Sequence, residues 1–164
     1  MWKEKGMTLV ELLLALGLMG VVLAGLMSAF WFTLFAFERG IDQTDSQYAA
    51  RQGRERIIRD FRSSEGFSVQ DTAGNNMAMG STGQRLHLVR EGEEIDFYAH
   101  NNQLYRDSTI SSPEPVAADI TSIKFISPVP GLLILTITAR AGSEEWTAKT
   151  AYMSRVSYTR EVLP

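Results

Sequence analysis

The chain has 164 residues, with 16 lysines and arginines against 19 aspartates and glutamates, and it contains no cysteine. This length suits one small domain beside an apolar segment. The slightly negative net charge provides no basic stripe of the kind that binding to nucleic-acid phosphates requires, so direct nucleic-acid binding is not expected. Without cysteine, disulfides, thiolate metal sites and a lipid-modified cysteine anchor are excluded.

The first element in chain order is an uncharged apolar segment from Leu12 to Phe37. It is longer than the roughly 20 residues that a helix needs to cross a bilayer, and too long for the apolar part of a secretory signal. Lys3 and Lys5 precede it, so the positive-inside rule places a short N-terminus in the cytoplasm. The sequence predicts a single-pass inner-membrane protein with an extracytoplasmic C-terminal domain.

A carboxylate, Glu11, lies near the start of the apolar stretch 7–37. A charge at the centre of a bilayer costs about 2.5–3.5 kcal/mol on insertion scales. In one interpretation Glu11 reaches the headgroups from the membrane edge or is protonated. In the other it meets a cationic partner, because a buried carboxylate is tolerated mainly beside such a charge.

The residues around Glu11 resemble the cleavage and methylation signature of type IV prepilins and type II secretion pseudopilins; they read Lys5-Gly6-Met7-Thr8-Leu9-Val10-Glu11-Leu12-Leu13. The resemblance implies that prepilin peptidase cuts after Gly6 and that Met7, the new N-terminal residue, is N-methylated. It also implies that Glu11 neutralises the N-terminal amine of a neighbouring subunit. Met7 stands where phenylalanine is usual in the family, and methionine is a common alternative at that position. The proline found midway along this helix in many major pilins is absent, and this absence favours a minor subunit.

The same resemblance implies the partners of the chain. They are other pilin or pseudopilin subunits, prepilin peptidase, the inner-membrane assembly platform and the membrane itself. No cofactor and no metal are implied. The alternative hypothesis is a generic single-pass anchored domain that binds a ligand or senses a signal, and an anchored hydrolase has no positive support.

Between Glu38 and Ser63 the chain has no proline, and apolar or small residues recur at helical spacing. We therefore predict that one long helix continues beyond the membrane, with Ala50, Gly53, Ile57 and Phe61 on its buried face. Charges at spacings of four predict a solvated face; they pair Arg51 with Glu55, Glu55 with Arg59, and Arg56 with Asp60. The stretch 52–62 resembles the helix end of J-type pseudopilins and W-type minor pilins.

The segment from Ser63 to Gln84 is rich in Gly, Ser, Asn and Thr, which predicts a loop with a short strand at Phe67 to Val69. From Arg85 onward the apolar period changes to two, which is typical of strands. Asn101-Asn102 predicts a tight hairpin, a Pro-rich loop is expected around Pro113 and Pro115, and Thr147 to Ser157 is expected to complete the sheet.

These elements predict an α+β fold in which a long N-terminal helix, transmembrane in its first half, packs on a C-terminal antiparallel sheet, the pilin plan. We expect four segments: a leader peptide (1–6), a transmembrane and assembly helix (7–37), an amphipathic continuation (38–64) and an extracytoplasmic β-rich domain (65–164).

Residues with catalytic potential are few, and we predict no enzyme. His87 and His100 lie in alternating strands and are expected to face solvent. Glu93 and Glu94 follow Gly92 in an apparent turn and are expected to be solvated. The stretch 71–76, Asp-Thr-Ala-Gly-Asn-Asn, is expected to be a polar turn rather than a calcium loop, because it lacks the full ligand pattern and a closing glutamate.

Overall fold

The computed structural model describes residues 8–154. Within this range the chain forms one helix followed by nine strands. The helix, α1, spans Leu9–Ser63. The strands are β1 Gly66–Gln70, β2 Thr82–Gly83, β3 Arg85–Arg90, β4 Glu93–His100, β5 Gln103–Ser108, β6 Ser111–Ala118, β7 Ile120–Ile126, β8 Leu132–Ala141 and β9 Glu144–Met153. The chain divides into two compact units between Gly40 and Ile41.

The first part of α1, up to Gly40, is a helix whose side chains are exposed throughout. Its leucine, valine, methionine and phenylalanine side chains find no covering partner among residues 8–154. By length and composition this helix can cross a membrane. The prediction of one long helix without a break is confirmed.

From Ile41 onward, one face of α1 is buried against the strands. Ala50, Ile57 and Phe61 are almost fully buried, and Gly53 lies on the same face. These positions recur every three or four residues, so they form one stripe along the helix. The predicted apolar face is confirmed, and it forms part of the hydrophobic core.

The strands form antiparallel sheets, as predicted, but there are two of them rather than one. The first has the order β1-β3-β4-β5-β6 and the second the order β2-β7-β8-β9. The break falls at Asp119, whose φ of 59° separates β6 from β7. After this residue the chain pairs with β8 and β2, so it leaves the first sheet. The fold is α+β in a pilin-like arrangement, with α1 packed on antiparallel strands.

Alternating residues of both sheets fill the core, as the period of two predicts. Leu86 faces Phe97 across β3 and β4, and Leu135 faces Phe125 across β7 and β8. All four side chains are buried to within 1% of full burial. The Asn101-Asn102 turn joins β4 and β5 with φ values of 49° and 58°, which confirms the predicted hairpin.

The expected Pro-rich loop is instead a strand, β6, that includes Pro113 and Pro115. Proline lacks an amide donor, so it is tolerated where that side of the strand has no partner. Because β6 is the last strand of the first sheet, no strand within residues 8–154 pairs with its outer side. The pairing of β5 with β6 also shifts register at two places. The prediction was wrong because it treated proline as a strand breaker irrespective of position in the sheet.

Two other predicted segments can be compared with the structure. The short strand at Phe67 to Val69 lies within β1. The last strand, β9, begins at Glu144 and ends at Met153. It therefore starts earlier than the predicted Thr147, and residues 155–157 of the predicted strand lie outside the described residues.

Gly53 marks a close approach between α1 and the sheets. A Cβ atom at this position would lie 2.9 Å from Ile137 Cδ1 and 3.0 Å from Leu104 Cδ2. We expect Gly53→Leu to lower the free energy of unfolding by about 1–3 kcal/mol, because a larger side chain overfills the packed interface. The matched control is Gln52→Leu at the adjacent exposed position, where a change within about 0.5 kcal/mol is expected. Equal effects of the two substitutions in denaturant unfolding would contradict this packing argument.

Candidate functional site

The helix α1 begins with a reciprocal set of hydrogen bonds between Thr8 and Glu11. The Glu11 amide donates to Thr8 Oγ1 at 3.3 Å, and the Thr8 amide donates to Glu11 Oε2 at 2.9 Å. The Thr8 hydroxyl also donates to the same carboxylate oxygen, at 3.0 Å. This arrangement is a capping box, which satisfies two amides that would otherwise lack a partner at the helix start. The sequence motif of a capping box is Thr-x-x-Glu, and the sequence analysis did not predict this capping box.

The Glu11 carboxylate lies on an apolar surface. Its neighbours Val10, Leu12 and Leu13 are all exposed, at 65%, 47% and 60%. Among residues 8–154 no cationic group lies within 4 Å of Glu11. Gly6 and Met7, the predicted cleavage residues, lie outside the described residues. Glu11 is therefore held at the helix start by Thr8 and retains lone pairs that can accept a further partner.

The segment that carries these residues was compared with known protein families. Residues 3–27 match the prokaryotic N-terminal methylation motif. The match includes Gly6, Met7 and Glu11, and it supports a type IV pilin-like prepilin that is anchored in a membrane. It also supports processing by prepilin peptidase and assembly with other pilins, and it does not favour the generic anchored domain. A comparison with curated proteins finds no match to the chain.

Away from this segment, a buried charge cluster joins α1 to the first sheet. Arg106 Nε donates to Asp60 Oδ2 at 2.8 Å, and Arg106 Nη2 donates to Glu93 Oε1 at 2.9 Å. The hydroxyl of Ser108 donates to the same oxygen of Glu93 at 2.6 Å, and Arg90 contacts both carboxylates. Asp60, Glu93 and Arg106 are only 4%, 7% and 6% exposed. Each buried charge therefore has a partner of opposite sign, as burial requires.

This cluster corrects two predictions. Asp60 is buried under Arg106 rather than part of a solvated face, although Arg56 does lie 3.7 Å from it. Glu93 is buried as the first residue of β4, whereas Glu94 is exposed as predicted. The signal was present in the alternation: Glu93 shares a strand face with Ile95 and Phe97, so the period of two places it inward.

The environment of Glu93 lowers the pKa of its carboxyl group to about 2. The hydrogen bond from Ser108 is the largest cause, burial acts in the opposite direction, and Arg106 and Arg90 lower the pKa further. Burial works against the charged form of Arg106, but its bonds to Asp60 and Glu93 outweigh this and raise its pKa. Glu93 and Arg106 are therefore both charged at neutral pH.

These shifts predict a loss of stability in acid. A carboxyl whose pKa is lower in the folded chain than its ordinary 4.5 stabilises the fold fully above pH 4.5, and this contribution is lost as the pH falls towards 2. We expect the free energy of unfolding to decrease across that window in the parent chain. In Glu93→Gln the decrease should be smaller, because no proton is taken up at this position. Denaturant unfolding at several pH values tests this, and identical slopes for both chains would contradict it.

The histidines and the predicted turn complete the candidate residues. His87 is half-buried, with Nδ1 2.9 Å from Asp96 Oδ1, so it does not simply face solvent, whereas His100 is exposed as predicted.

Asp71 accepts bonds from the amides of Ala73 and Asn75, at 2.9 and 2.8 Å, which confirms a polar turn. Within the described residues, no three His, Cys, Asp or Glu side chains group as metal ligands would. The methylation motif points to a structural family rather than to an enzyme.

Proposed function

We propose that the chain is a structural minor pilin or pseudopilin subunit of a type IV pilus, a competence pilus or a type II secretion system. The observation that carries this proposal is the methylation motif at residues 3–27, which falls at the start of a 55-residue helix. The exposed apolar part of that helix carries one carboxylate, Glu11. A helix that served only as a membrane anchor would not need this carboxylate, because a charge in the apolar segment opposes insertion into the bilayer.

In this proposal residues 1–6 form the leader that prepilin peptidase removes after Gly6. Residues 7–37 form the transmembrane and assembly helix, 38–64 its amphipathic continuation and 65–164 the extracytoplasmic domain. Lys3 and Lys5 keep the short N-terminus in the cytoplasm. The likeness of stretch 52–62 to J-type and W-type subunits favours a minor subunit.

Glu11 acts in assembly through the charge that cleavage creates. Removal of the leader leaves a positively charged, N-methylated amine at Met7. When helices leave the bilayer and pack side by side, this amine enters a medium of low dielectric, where an unpaired charge costs several kcal/mol. The carboxylate of Glu11 on the neighbouring subunit neutralises it. Because the pairing requires one axial offset between helices, it also sets their register.

Cleavage at Gly6 is tested by enlarging this residue. Glycine lets an extended backbone enter a narrow proteolytic site, because it has no side chain. We expect Gly6→Val to accumulate as uncut precursor in the membrane, with mature chain reduced at least about tenfold. Gly17→Val, inside the apolar segment, is the control and should mature like the parent. A Gly6→Val chain that still begins at Met7, as judged by intact mass, would show that the glycine does not define the site.

A further inference from the structure

A cleft of about 370 Å³ lies between the two sheets. One wall is formed by the start of β3 and the end of β4, and the other by the start of β7. Thr72, in the polar turn after β1, also lines the cleft. A cleft of this volume is at the small end of the range that holds small molecules. Because most of its lining belongs to paired strands, the groups that face it are held more firmly than groups on a loop.

The side chains around the cleft favour an anionic, hydrogen-bonding ligand. Arg85 and His100 line it, and no aspartate or glutamate does so within residues 8–154. Hydroxyl and amide groups from Thr72, Gln84 and Ser122 make up much of the remaining lining. None of these three side chains forms a hydrogen bond to another group in the described part of the chain. The cleft therefore offers a cation and several free donors and acceptors.

Arg85 is held in place without using its hydrogen-bond donors. Its guanidinium carbon lies 4.9 Å from the centre of the Tyr98 ring, and Tyr98 stacks on Tyr105 with ring centres 5.9 Å apart. The nearest carboxylate oxygen, Asp96 Oδ2, lies 3.6 Å from Arg85 Nη1, which is too far for a hydrogen bond. The buried Nε of Arg85 also lacks a partner among the residues described. A guanidinium carries five N–H donors, so Arg85 keeps donors for a ligand.

The wall of the cleft that belongs to the second sheet results from an irregularity in β7. The pairing of β7 with β8 shifts register between Ile120 and Ser122, so Thr121 is an extra residue. Ile120 and Ile123 are buried in the core, and neither of the two residues between them is. The hydroxyl of Thr121 donates to the Thr138 carbonyl at 3.3 Å. An extra residue of this kind commonly redirects side chains towards a site, and here it leaves the Ser122 hydroxyl at the cleft.

The segment that follows the described residues leaves β9 at the end of the second sheet away from the cleft. Ile120, at the start of β7, pairs with Ala139, and Ala139 pairs with Trp146 near the start of β9. β9 ends at Met153, seven residues further along. Seven residues of an antiparallel strand cover about 24 Å. The position of the cleft therefore favours a ligand from outside the chain over residues 155–164.

We propose that this cleft binds a small molecule that carries both an oxyanion and hydroxyl groups, such as a sugar with a carboxylate or a phosphate. Arg85 bonds to the oxyanion, because a planar guanidinium suits two oxygens of one group. The hydroxyls of Thr72 and Ser122 bond to hydroxyls of the ligand. Asp96 does not prevent this, since a guanidinium can serve two anions, as Arg106 does in the buried cluster. The site goes beyond the proposed function and does not depend on it.

Binding is measured by isothermal titration calorimetry of the full chain, purified in detergent. Glucuronate and glucose 1-phosphate present a carboxylate and a phosphate on similar sugar rings, and glucose is the neutral control. We expect at least one of the two acidic sugars to bind at one site with a dissociation constant below about 1 mM. Glucose should bind at least about tenfold more weakly, because hydrogen bonds to an ionised group are the stronger ones. The acidic sugar that binds more tightly identifies the preferred oxyanion.

Variants on the two walls locate the binding site. Arg85→Met removes the cation, and Ser122→Met fills the cleft from β7 without changing any charge. Each should weaken binding at least about tenfold. Arg140→Met removes a cation at an exposed position outside the cleft, and this chain should bind like the parent. The unfolding temperature of each variant shows whether it is folded. If Arg85→Met is not, Arg85→Lys replaces it; this variant keeps the charge, loses the planar guanidinium and should still bind more weakly than the parent.

Three results would overturn the proposal. The first is the absence of saturable binding of either acidic sugar below about 10 mM. The second is equal binding of glucose. The third is binding that Arg85→Met weakens and Ser122→Met leaves unchanged, which would indicate an ion on the open surface beside Arg85.

A chain that ends at Ser154 tests whether residues 155–164 occupy the cleft. The proposal predicts that this chain binds the acidic sugars as the full chain does. If only the shortened chain binds them, the cleft belongs to residues 155–164 and the proposal fails. The proposed function is tested separately by the mature N-terminus, so a chain that begins at Met7 and binds no acidic sugar would refute the ligand site alone.

Discussion

Glu11→Ala is expected to give a chain that is cleaved and stably membrane-bound, yet incorporated into assemblies about a hundredfold less than the parent. Removing the carboxylate relieves the cost of inserting a charge, so residence in the membrane should not suffer. The same change leaves the amine at Met7 without its counter-charge when subunits pack. A penalty of several kcal/mol corresponds to at least two orders of magnitude in an equilibrium constant. Co-purification from membranes, or crosslinking between subunits, measures the effect.

The capping box requires two controls, because Glu11 also bonds to Thr8. Glu11→Gln keeps a side chain that can close the capping box but removes the charge. Thr8→Val removes the capping hydroxyl and keeps the charge, at a cost of about 1 kcal/mol at the helix start. If the role of Glu11 is to neutralise charge, the Glu11→Gln chain should assemble as poorly as the Glu11→Ala chain. The Thr8→Val chain should assemble normally. The reverse pattern would mean that Glu11 only caps the helix.

Arg106→Met is expected to cause the largest loss of stability of any single substitution considered, about 3–5 kcal/mol. It removes the buried guanidinium that bonds to both Asp60 and Glu93, and leaves the partly exposed Arg90 as the cation that contacts the two carboxylates. Denaturant unfolding of a fragment that begins at Arg39 measures this, since it contains every buried core side chain of the described residues. A loss below about 1 kcal/mol would show that the carboxylates find other partners.

A triple variant separates the cost of unpaired charges from the value of the cluster. Replacing Asp60, Glu93 and Arg106 together by Leu, Leu and Met removes every one of these buried charges. Apolar replacement of a buried ion cluster is often neutral or stabilising, so much of the lost stability should return. Arg140→Met, at an exposed position, should change the free energy of unfolding by less than about 0.5 kcal/mol.

The parts of the fold that were predictable are those with a strong local pattern. The stripe through Ile57 and Phe61 repeats every three to four residues, and Leu86 and Leu88 alternate, so each element shows its own buried face. The hairpin at Asn101-Asn102 was predictable because these two residues tolerate positive φ. In each case the sequence pattern that predicts the structure lies within a single helix, strand or hairpin turn.

The parts that were missed depend on neighbours distant in sequence. Asp60 and Arg106 are 46 residues apart, and only the packing of α1 on β5 brings their charges together. The sequence prediction assumed that charged side chains are exposed, and it therefore placed Asp60 and Glu93 on the surface. β6 accepts its prolines because none of the described strands lies beyond it, a fact of sheet order rather than of local sequence. The split into two sheets likewise depends on β7 pairing with β2.

At the N-terminus the motif could be recognised, but its chemistry could not be fully resolved from sequence. The resemblance of residues 5–13 to the prepilin signature implied cleavage after Gly6, methylation of Met7 and a role for Glu11 in assembly, and these assignments stay predictions. The bonds between Thr8 and Glu11 show that the carboxylate already has a local partner. A role for Glu11 in assembly must therefore use the lone pairs that Thr8 leaves free, or must replace the bond from the Thr8 amide.

The central claim, that this chain is a processed prepilin, is tested most directly by the mass of its mature N-terminal peptide. The chain is purified from membranes of cells that contain prepilin peptidase, digested, and sequenced by tandem mass spectrometry. We predict a first residue of Met7 carrying one methyl group on its amine, with residues 1–6 removed. A mature chain that retains Lys3 and Lys5, or that is cut after residue 20 as a secretory signal would be, would contradict the claim.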